Sequence, residues 1–343
     1  MDYFDIIRGG AGEGFADAIF KVQDCDGRLL SMRGEVTTQI ARMLASRGRR
    51  EGRVFYIENC IRFLEEKTVS RREFWQAGAE LVGGSEVETD AEIIALTLTS
   101  LERMGIRGGS IDIGNIGFFK AIAQVFDISD VDSLRRALAS RSTGDLGKTP
   151  EAREALSFLV SRRGGPELVR ELTEMIYPRD AGGKGIALGE YTTYFEKLFQ
   201  LLDAYGCAGK VKVDLTTLRE MGYYNGTVFD ILIDGIGVPV GGGGRYDAMM
   251  REFGIDTKAT GFALSVDLCV RALNAEGFKQ ESAPVKKVLY RDGYVDKAIR
   301  LAGELREKGT RCMVDRFNGE EEGIVVGDEI QDLVKRSRAG EER

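Results

Sequence analysis

Residues 221–267 read MGYYNGTVFDILIDGIGVPVGGGGRYDAMMREFGIDTKATGFALSVD. GTVFDILID is an apolar extended run that stops at Asp234-Gly235. Asp-Gly between two apolar runs is a hairpin turn signal, because the second turn position adopts a positive φ that glycine takes without strain. GVPVGG is the returning strand. Gly241–Gly244 are followed by Arg245 rather than by Lys-Ser/Thr, so the run is not a phosphate-binding P-loop. It also lacks the strand–GxGxxG–helix context of a dinucleotide fold. By composition alone the glycines are a flexible turn after the hairpin.

Working outward, AIFKVQDCDGRLLSMRGEVTTQIARML reads as strand, Asp26-Gly27 turn, strand and helix, with Thr37 and Thr38 at the helix start. RVFYIENCIRFL is a buried-looking strand carrying Val54, Tyr56, Cys60 and Phe63, and REFWQAGAELVG is its antiparallel partner across the exposed charged link EEKTVSR. A helix with a broad apolar stripe covers about Thr89–Met104, and GSIDIGNIGFF is a strand and turn. Residues 126–205 turn helical in DVDSLRRALAS, PELVRELTEMI and YTTYFEKLFQLLDAYG, with Asp130 and Asp132 where an N-cap belongs and Pro166 in a first turn. The sheet resumes at KVKVDLT. After a polar link, VLY, VDKAIRLAGELREKG, TRCMVD and GIVVGDEIQDLVKRS make a small α/β unit with a fraying charged tail. The predicted organisation is a core of 1–125 and 206–273, a helical insertion at 126–205 and a C-terminal unit at 284–343.

Composition narrows the chemistry. The 343 residues are 43% hydrophobic and 30% charged, as in a soluble globular chain of two or three domains. No apolar run reaches the roughly 18–20 residues of a membrane span, and the N-terminus lacks a signal-peptide pattern, so a cytoplasmic location is expected. A net charge of −7 argues against a nucleic-acid partner. The five cysteines stand singly, without the paired spacing of zinc or redox motifs. Histidine is absent, which removes His-based acid–base catalysis, Ser-His-Asp triads and His metal ligands together.

Several segments resemble the core of the histidyl-tRNA synthetases, a class II aminoacyl-tRNA synthetase fold. They are YYNGTVF, GGGRYD and ATGFALSVD in the opening stretch, SMRGEVTTQIARM, NCIRFLEEKTVSRREFWQAGAELVGG, LREMGYYNGTVF and, more weakly, Asp90-Ala91-Glu92. The matches run from about Phe20 to Leu273, interrupted by the helical insertion. The resemblance implies an α+β fold: an antiparallel sheet flanked by helices, with a helical insertion and a small, truncated α/β C-terminal unit.

It also implies a ligand pocket. Glu35 and Thr37 match an acid and a threonine that hold a substrate's α-amino group, and an ammonium does need a carboxylate and neutral acceptors around it. The same two residues also suit a plain helix N-terminus. Arg62 matches an arginine on the ATP α-phosphate and the substrate carboxylate, where a surface salt bridge is the bland alternative. Gln76 and Glu80 match residues that hold the amino acid. Arg219, Tyr223 and Tyr224 fall in register with a catalytic arginine and two tyrosines, a flat aromatic wall for an imidazole. Gly243 and Arg245 belong to a glycine-floored pocket wall on which a small ligand can lie. The Asp90 segment is explained by helix capping.

The departures bear on activity. Leu64 and Glu65 stand where the family has an acid and an arginine, and Glu65 with Glu66 would repel a triphosphate. Gly222 replaces the acid before the tyrosines. The arginine that grips the ATP phosphates is replaced by Leu268, which cannot balance a triphosphate. A pocket kept and an arginine lost resembles the regulatory-subunit family of ATP phosphoribosyltransferase. That likeness implies no catalytic residue and no cofactor, an oligomer, the short-form catalytic chain as partner, histidine as a feedback ligand and no tRNA role. The alternatives are an active histidyl-tRNA synthetase and another amino-acid-binding paralogue. The first class II motif, a long helix at a dimer interface, would precede Met1, and the C-terminal unit is short for an anticodon-binding domain.

Overall fold

Apolar alternation in 52–61, 73–82, 227–233 and 259–265 builds the main sheet of the computed structural model, which describes residues 1–63, 72–143, 146–176, 184–219, 222–278, 285–319 and 322–333. In chain order, β1 (Asp2–Tyr3), α1 (Phe4–Ala11), α2 (Glu13–Ala16), β2 (Lys21–Gln23) and β3 (Leu29–Ser31) lead to α3 (Thr37–Ser46). Next come β4 (Gly52–Ile61), β5 (Glu73–Val82), α4 (Glu86–Arg103), β6 (Gly109–Asn115) and α5 (Ile116–Val125). The helices α6 (Val131–Ala139), α7 (Pro150–Ser161), α8 (Glu167–Ile176) and α9 (Lys184–Ala204) precede β7 (Val211–Val213). The chain then returns through β8 (Thr227–Ile233), β9 (Gly241–Arg245), α10 (Asp247–Glu252), β10 (Ala259–Ser265) and α11 (Val266–Ala275). These elements lie in one compact unit, 1–277, and a second covers 278–343.

Seven strands form the main sheet in the order β4-β5-β10-β9-β8-β6-β7, antiparallel except for the β6–β7 edge pair. The glycine run is therefore not a turn: Gly241–Gly244 are the body of a central strand, between β10 and β8. The Asp-Gly turns are where the sequence puts them, with Gly27 at φ +84° and Gly235 at φ +78°. One face of the sheet carries the larger core, including Ile93, Leu98, Ile111, Phe118, Phe229 and Phe262. The other carries a second cluster with Ile7, Ile40, Tyr56, Phe74, Tyr223 and Tyr246.

Four expectations change. Ile116 starts a helix, not a turn, because the Asn115 side chain accepts from the Phe118 amide at 3.0 Å and Phe118, Phe119 and Ile122 then bury one face. A further helix, α7, opens with Thr149 as cap and Pro150 in the first turn. β4 is the sheet's edge, so although Tyr56 and Cys60 are buried, Phe55 and Ile57 are 82% and 63% exposed. Asp90 is not a cap; it sits inside α4, which begins at Glu86. Leu64, Glu65, Glu66, the rest of the charged link and the C-terminal tail lie outside the described residues.

The helices of 126–205 share the larger core with the sheet. Leu138, Leu156, Leu172, Phe195 and Leu198 belong to the same buried cluster as Ile111 and Phe229. In the second unit β11 (Lys286–Tyr290), α12 (Val295–Glu307), β12 (Cys312–Arg316), β13 (Gly323–Val326) and β14 (Ile330–Leu333) form a four-stranded sheet of order β12-β11-β13-β14. Its helix packs Ala298 and Ala302 against Val288 and Val326. Leu172 is fully buried in α8, so Leu172→Ala is expected to cost about 2–5 kcal/mol. Because the core is shared, the loss should appear in denaturant melts as a shift of one transition for residues 1–277, not as separate melting of the helices.

Candidate functional site

A cleft of about 1380 Å³ opens on the sheet face that carries the smaller core. Its lining includes Glu35 and Thr37 from the start of α3, Tyr56 from β4, Arg62 just beyond it, and Gln76 and Glu80 from β5. Arg219, Tyr223 and Tyr224 come from the segment before β8, Asp230 from β8, and Leu268 and Arg271 from α11. Strand alternation brings Gln76 and Glu80 to the same face of β5.

Three glycines seat the polar side chains. A Cβ on Gly242 would come 1.7 Å from Arg219 Nη1, one on Gly261 1.8 Å from Glu80 Oε2, and one on Gly78 2.6 Å from the Tyr56 ring. The glycine floor is thus occupied by the protein's own arginine, acid and tyrosine, which lie flat on the strands. Arg219 Nη1 there donates to Asp230 at 2.5 Å and to the Gly241 carbonyl at 3.3 Å.

Among the described residues, neither Glu35 nor Glu80 is hydrogen-bonded to an arginine or lysine. Glu80 accepts from Thr37 Oγ1 and from Tyr246 Oη, each at 2.7 Å. Glu35 accepts the Thr38 backbone amide at 3.0 and 3.1 Å, so it does cap α3. Both are buried. Burial pushes the Glu80 carboxyl up to about 8, against the hydroxyl donors that pull it down. Burial also raises Glu35. Arg62 donates to the Gly34 carbonyl at 3.0 Å and its guanidinium lies near the Phe15 and Phe74 rings, 5.7 and 5.0 Å from their centroids. The Tyr223 and Tyr224 rings lie 4.6 Å apart, tilted by 55°, and Tyr246 meets Tyr223 edge-on at 6.1 Å.

Eight of the sequence-selected residues line this cleft: Glu35, Thr37, Arg62, Gln76, Glu80, Arg219, Tyr223 and Tyr224. Gly243 and Arg245 do not. They pair with Phe262 and Thr260 on β10 and so face the larger core, where a Gly243 Cβ would meet the Phe229 ring. Arg245 is 1% exposed and ion-paired to Asp90 at 2.7 Å. Sequence reasoning missed Tyr56 and Tyr246. Alternation was the available signal for Tyr246, since a strand that turns Arg245 away turns its neighbour toward the cleft. Among the described residues no cluster of acids and cysteines is placed to hold a metal, and no helix is long and apolar enough to cross a membrane.

The histidyl-tRNA synthetase family model matches residues 1–268. The ATP phosphoribosyltransferase regulatory subunit of Moorella thermoacetica is 34% identical over 336 residues, covering 92% of this chain and 82% of the relative. The protein of that name from Bacillus subtilis is 30% identical, over 88% and 78%. The chain belongs to the family of ATP phosphoribosyltransferase regulatory subunits. A crystal structure described as an ATP phosphoribosyltransferase regulatory subunit/histidyl-tRNA synthetase, from Bacillus halodurans, superposes with a TM-score of 0.78 at 28% identity, over 94% of this chain and 83% of that one. A histidyl-tRNA synthetase from Nostoc superposes at 0.68 with 16% identity, covering 88% and 74%, which speaks to fold alone. The class II synthetase-like fold inferred from the motifs is the fold of the chain.

Two predictions follow from the floor and the acids. Gly261→Ala forces Glu80 off its seat and crowds the Ala79 carbonyl, 2.7 Å from the added carbon, and is expected to cost about 1–3 kcal/mol in denaturant melts. Glu80 holds its proton in the folded chain above its ordinary 4.5. Its contribution to stability is therefore complete below about pH 4.5 and is lost as pH rises through about 8. Glu80→Gln, which keeps the neutral form, should flatten the fall of the unfolding midpoint across that window; an unchanged slope would assign the fall to another group.

Proposed function

We propose that the chain is a non-catalytic regulatory subunit that binds the short-form catalytic chain of ATP phosphoribosyltransferase, raises its activity and makes it sensitive to histidine bound in the cleft. The observation that carries the non-catalytic reading is that the described cleft lining offers no excess of cations. Asp17, Asp230 and Asp267 line it against Arg62, Arg219 and Arg271, while Glu80, its carboxyl raised to about 8, is largely protonated at neutral pH. Arg219 is paired with Asp230, and the first turn of α11 presents Asp267 and Leu268. A triphosphate, with its dense negative charge, finds an aspartate and a leucine at that turn where adenylation needs cations.

An amino acid with an ammonium and a hydrogen-bonding ring suits the inner end. Glu35, Glu80 and Thr37 offer acceptors, and the tyrosines offer flat apolar walls. The relatives' shared name supports the choice of partner. Regulation in this reading is a coupling free energy between the cleft and the partner's active site, and it is reciprocal.

The test is phosphoribosyl-ATP formation by a purified short catalytic chain, with and without this protein, across a histidine titration. The expected result is a higher rate with the protein present and inhibition by histidine that Glu80→Gln weakens at least tenfold, a loss of about 1.4 kcal/mol or more. Histidine-dependent exchange of pyrophosphate into ATP by the chain alone would overturn the non-catalytic reading.

A further inference from the structure

Arg245 was expected at the ligand and instead lies beneath it, in a buried junction that joins three parts of the chain. Its Nη2 donates to Asp90 Oδ1 at 2.7 Å, to Thr89 Oγ1 at 2.8 Å and to the Glu86 carbonyl at 2.7 Å, all on α4. Its Nη1 donates to Asp247 at 3.2 Å. Asp90 also accepts from the hydroxyl of Tyr194 on α9, and that hydroxyl lies 2.7 Å from Thr227 Oγ1 on β8. Asp90, Arg245 and Thr227 are each 1% exposed. Tyr194 is thus the side chain through which a helix of 126–205 enters the junction.

On its other side the junction fixes the cleft wall. Asn225, next to Tyr224, donates its amide to the Arg245 carbonyl at 3.0 Å and accepts the Asp247 amide at 3.0 Å through its side chain. Asp247 also accepts the Ala259 amide at 2.8 Å, and the Tyr246 amide returns to the Ala259 carbonyl at 2.8 Å. Gly226 packs against the Arg245 side chain, where an added Cβ would come within 3.0 Å. The residues so held include Tyr246, an aromatic wall of the cleft, and Asn225, which directly follows the cleft residues Tyr223 and Tyr224 in the chain.

We propose that Tyr194 is a positioning residue for the cleft: through Asp90 and Arg245 it holds the tyrosine segment in place, so that a displacement of helix α9 and a change in the cleft are energetically linked. A buried carboxylate and guanidinium have few other arrangements available, because leaving either unpaired in the core is costly. Movement of α9 is therefore transmitted to residues 223–226 and 245–247 rather than absorbed at the junction. The linkage itself needs no ligand; its use as a regulatory route rests on the effector reading above.

The test is native-state hydrogen exchange of the full chain without ligand, comparing Tyr194→Phe with Leu172→Ala, which truncates the same shared core on α8 but removes none of the junction's hydrogen bonds. Tyr194→Phe removes one hydroxyl and keeps the ring. We expect it to speed exchange of the Asn225, Tyr246 and Asp247 amides on the order of tenfold more than Leu172→Ala does, once both are compared at equal loss of global stability. Asp90→Asn should reproduce the pattern, and if it does not fold, Tyr194→Phe decides alone. Equal acceleration in the two variants, or wild-type exchange in Tyr194→Phe, would overturn the linkage. Neither outcome depends on whether histidine binds the cleft.

Discussion

Side chains that lie flat on a β-sheet need strands with nothing standing on them, and this constraint organises the molecule. Tyr56, Glu80 and Arg219 cross neighbouring strands at Gly78, Gly261 and Gly242. Glycine weakens a strand by removing packing and by adding conformational entropy to the unfolded chain. Here the strand β9 survives because it is central, hydrogen-bonded on both sides, with the side chains of Phe229 and Phe262 filling the face below. The glycines are thus a structural concession to the cleft, and the ladder and the core beneath compensate for it.

Two kinds of buried ionisable group flank this sheet. Below it, Asp90 and Arg245 neutralise one another and satisfy their remaining hydrogen-bonding groups on Thr89, Tyr194 and Asp247. Such a pair adds little net stability but fixes one arrangement, since breaking it costs about 3–5 kcal/mol. Above it, Glu35 and Glu80 are held by an amide and hydroxyls, and burial raises both pKa values. The closed network suits support, and the open one suits a site completed by a ligand that brings donors.

The chain shares its class II synthetase-like fold with the histidyl-tRNA synthetases. What distinguishes this member is the chemistry at α11. Asp267 accepts the Trp75 amide at 3.0 Å, so the first turn is tied to the edge of β5, and the position beside it is the neutral Leu268. The cleft thus keeps its acids and tyrosines, while the first turn of α11 carries no arginine.

Much of this was legible in the residues. The strands of 52–61, 73–82 and 227–233 announced themselves by composition and by Asp-Gly turns, and the resemblance to the synthetase family singled out eight residues that the structure brings to one cleft. Local pattern sufficed there because alternation and turn chemistry act between near neighbours. Composition alone did not mark the glycine run as a strand, since a strand without side chains has no apolar period, and only pairing to β8 and β10 makes it one. Nor could the sequence say that Arg245 faces the core or that Phe55 stands in solvent, because which face of a strand is covered, and which strand is the edge, depend on elements far away in the chain. The sequence by itself determined the family, the kinds of strand and helix and the set of polar residues available. The tertiary structure alone decided which of them meet, because burial and ion pairing are properties of distance in space and not of order along the chain.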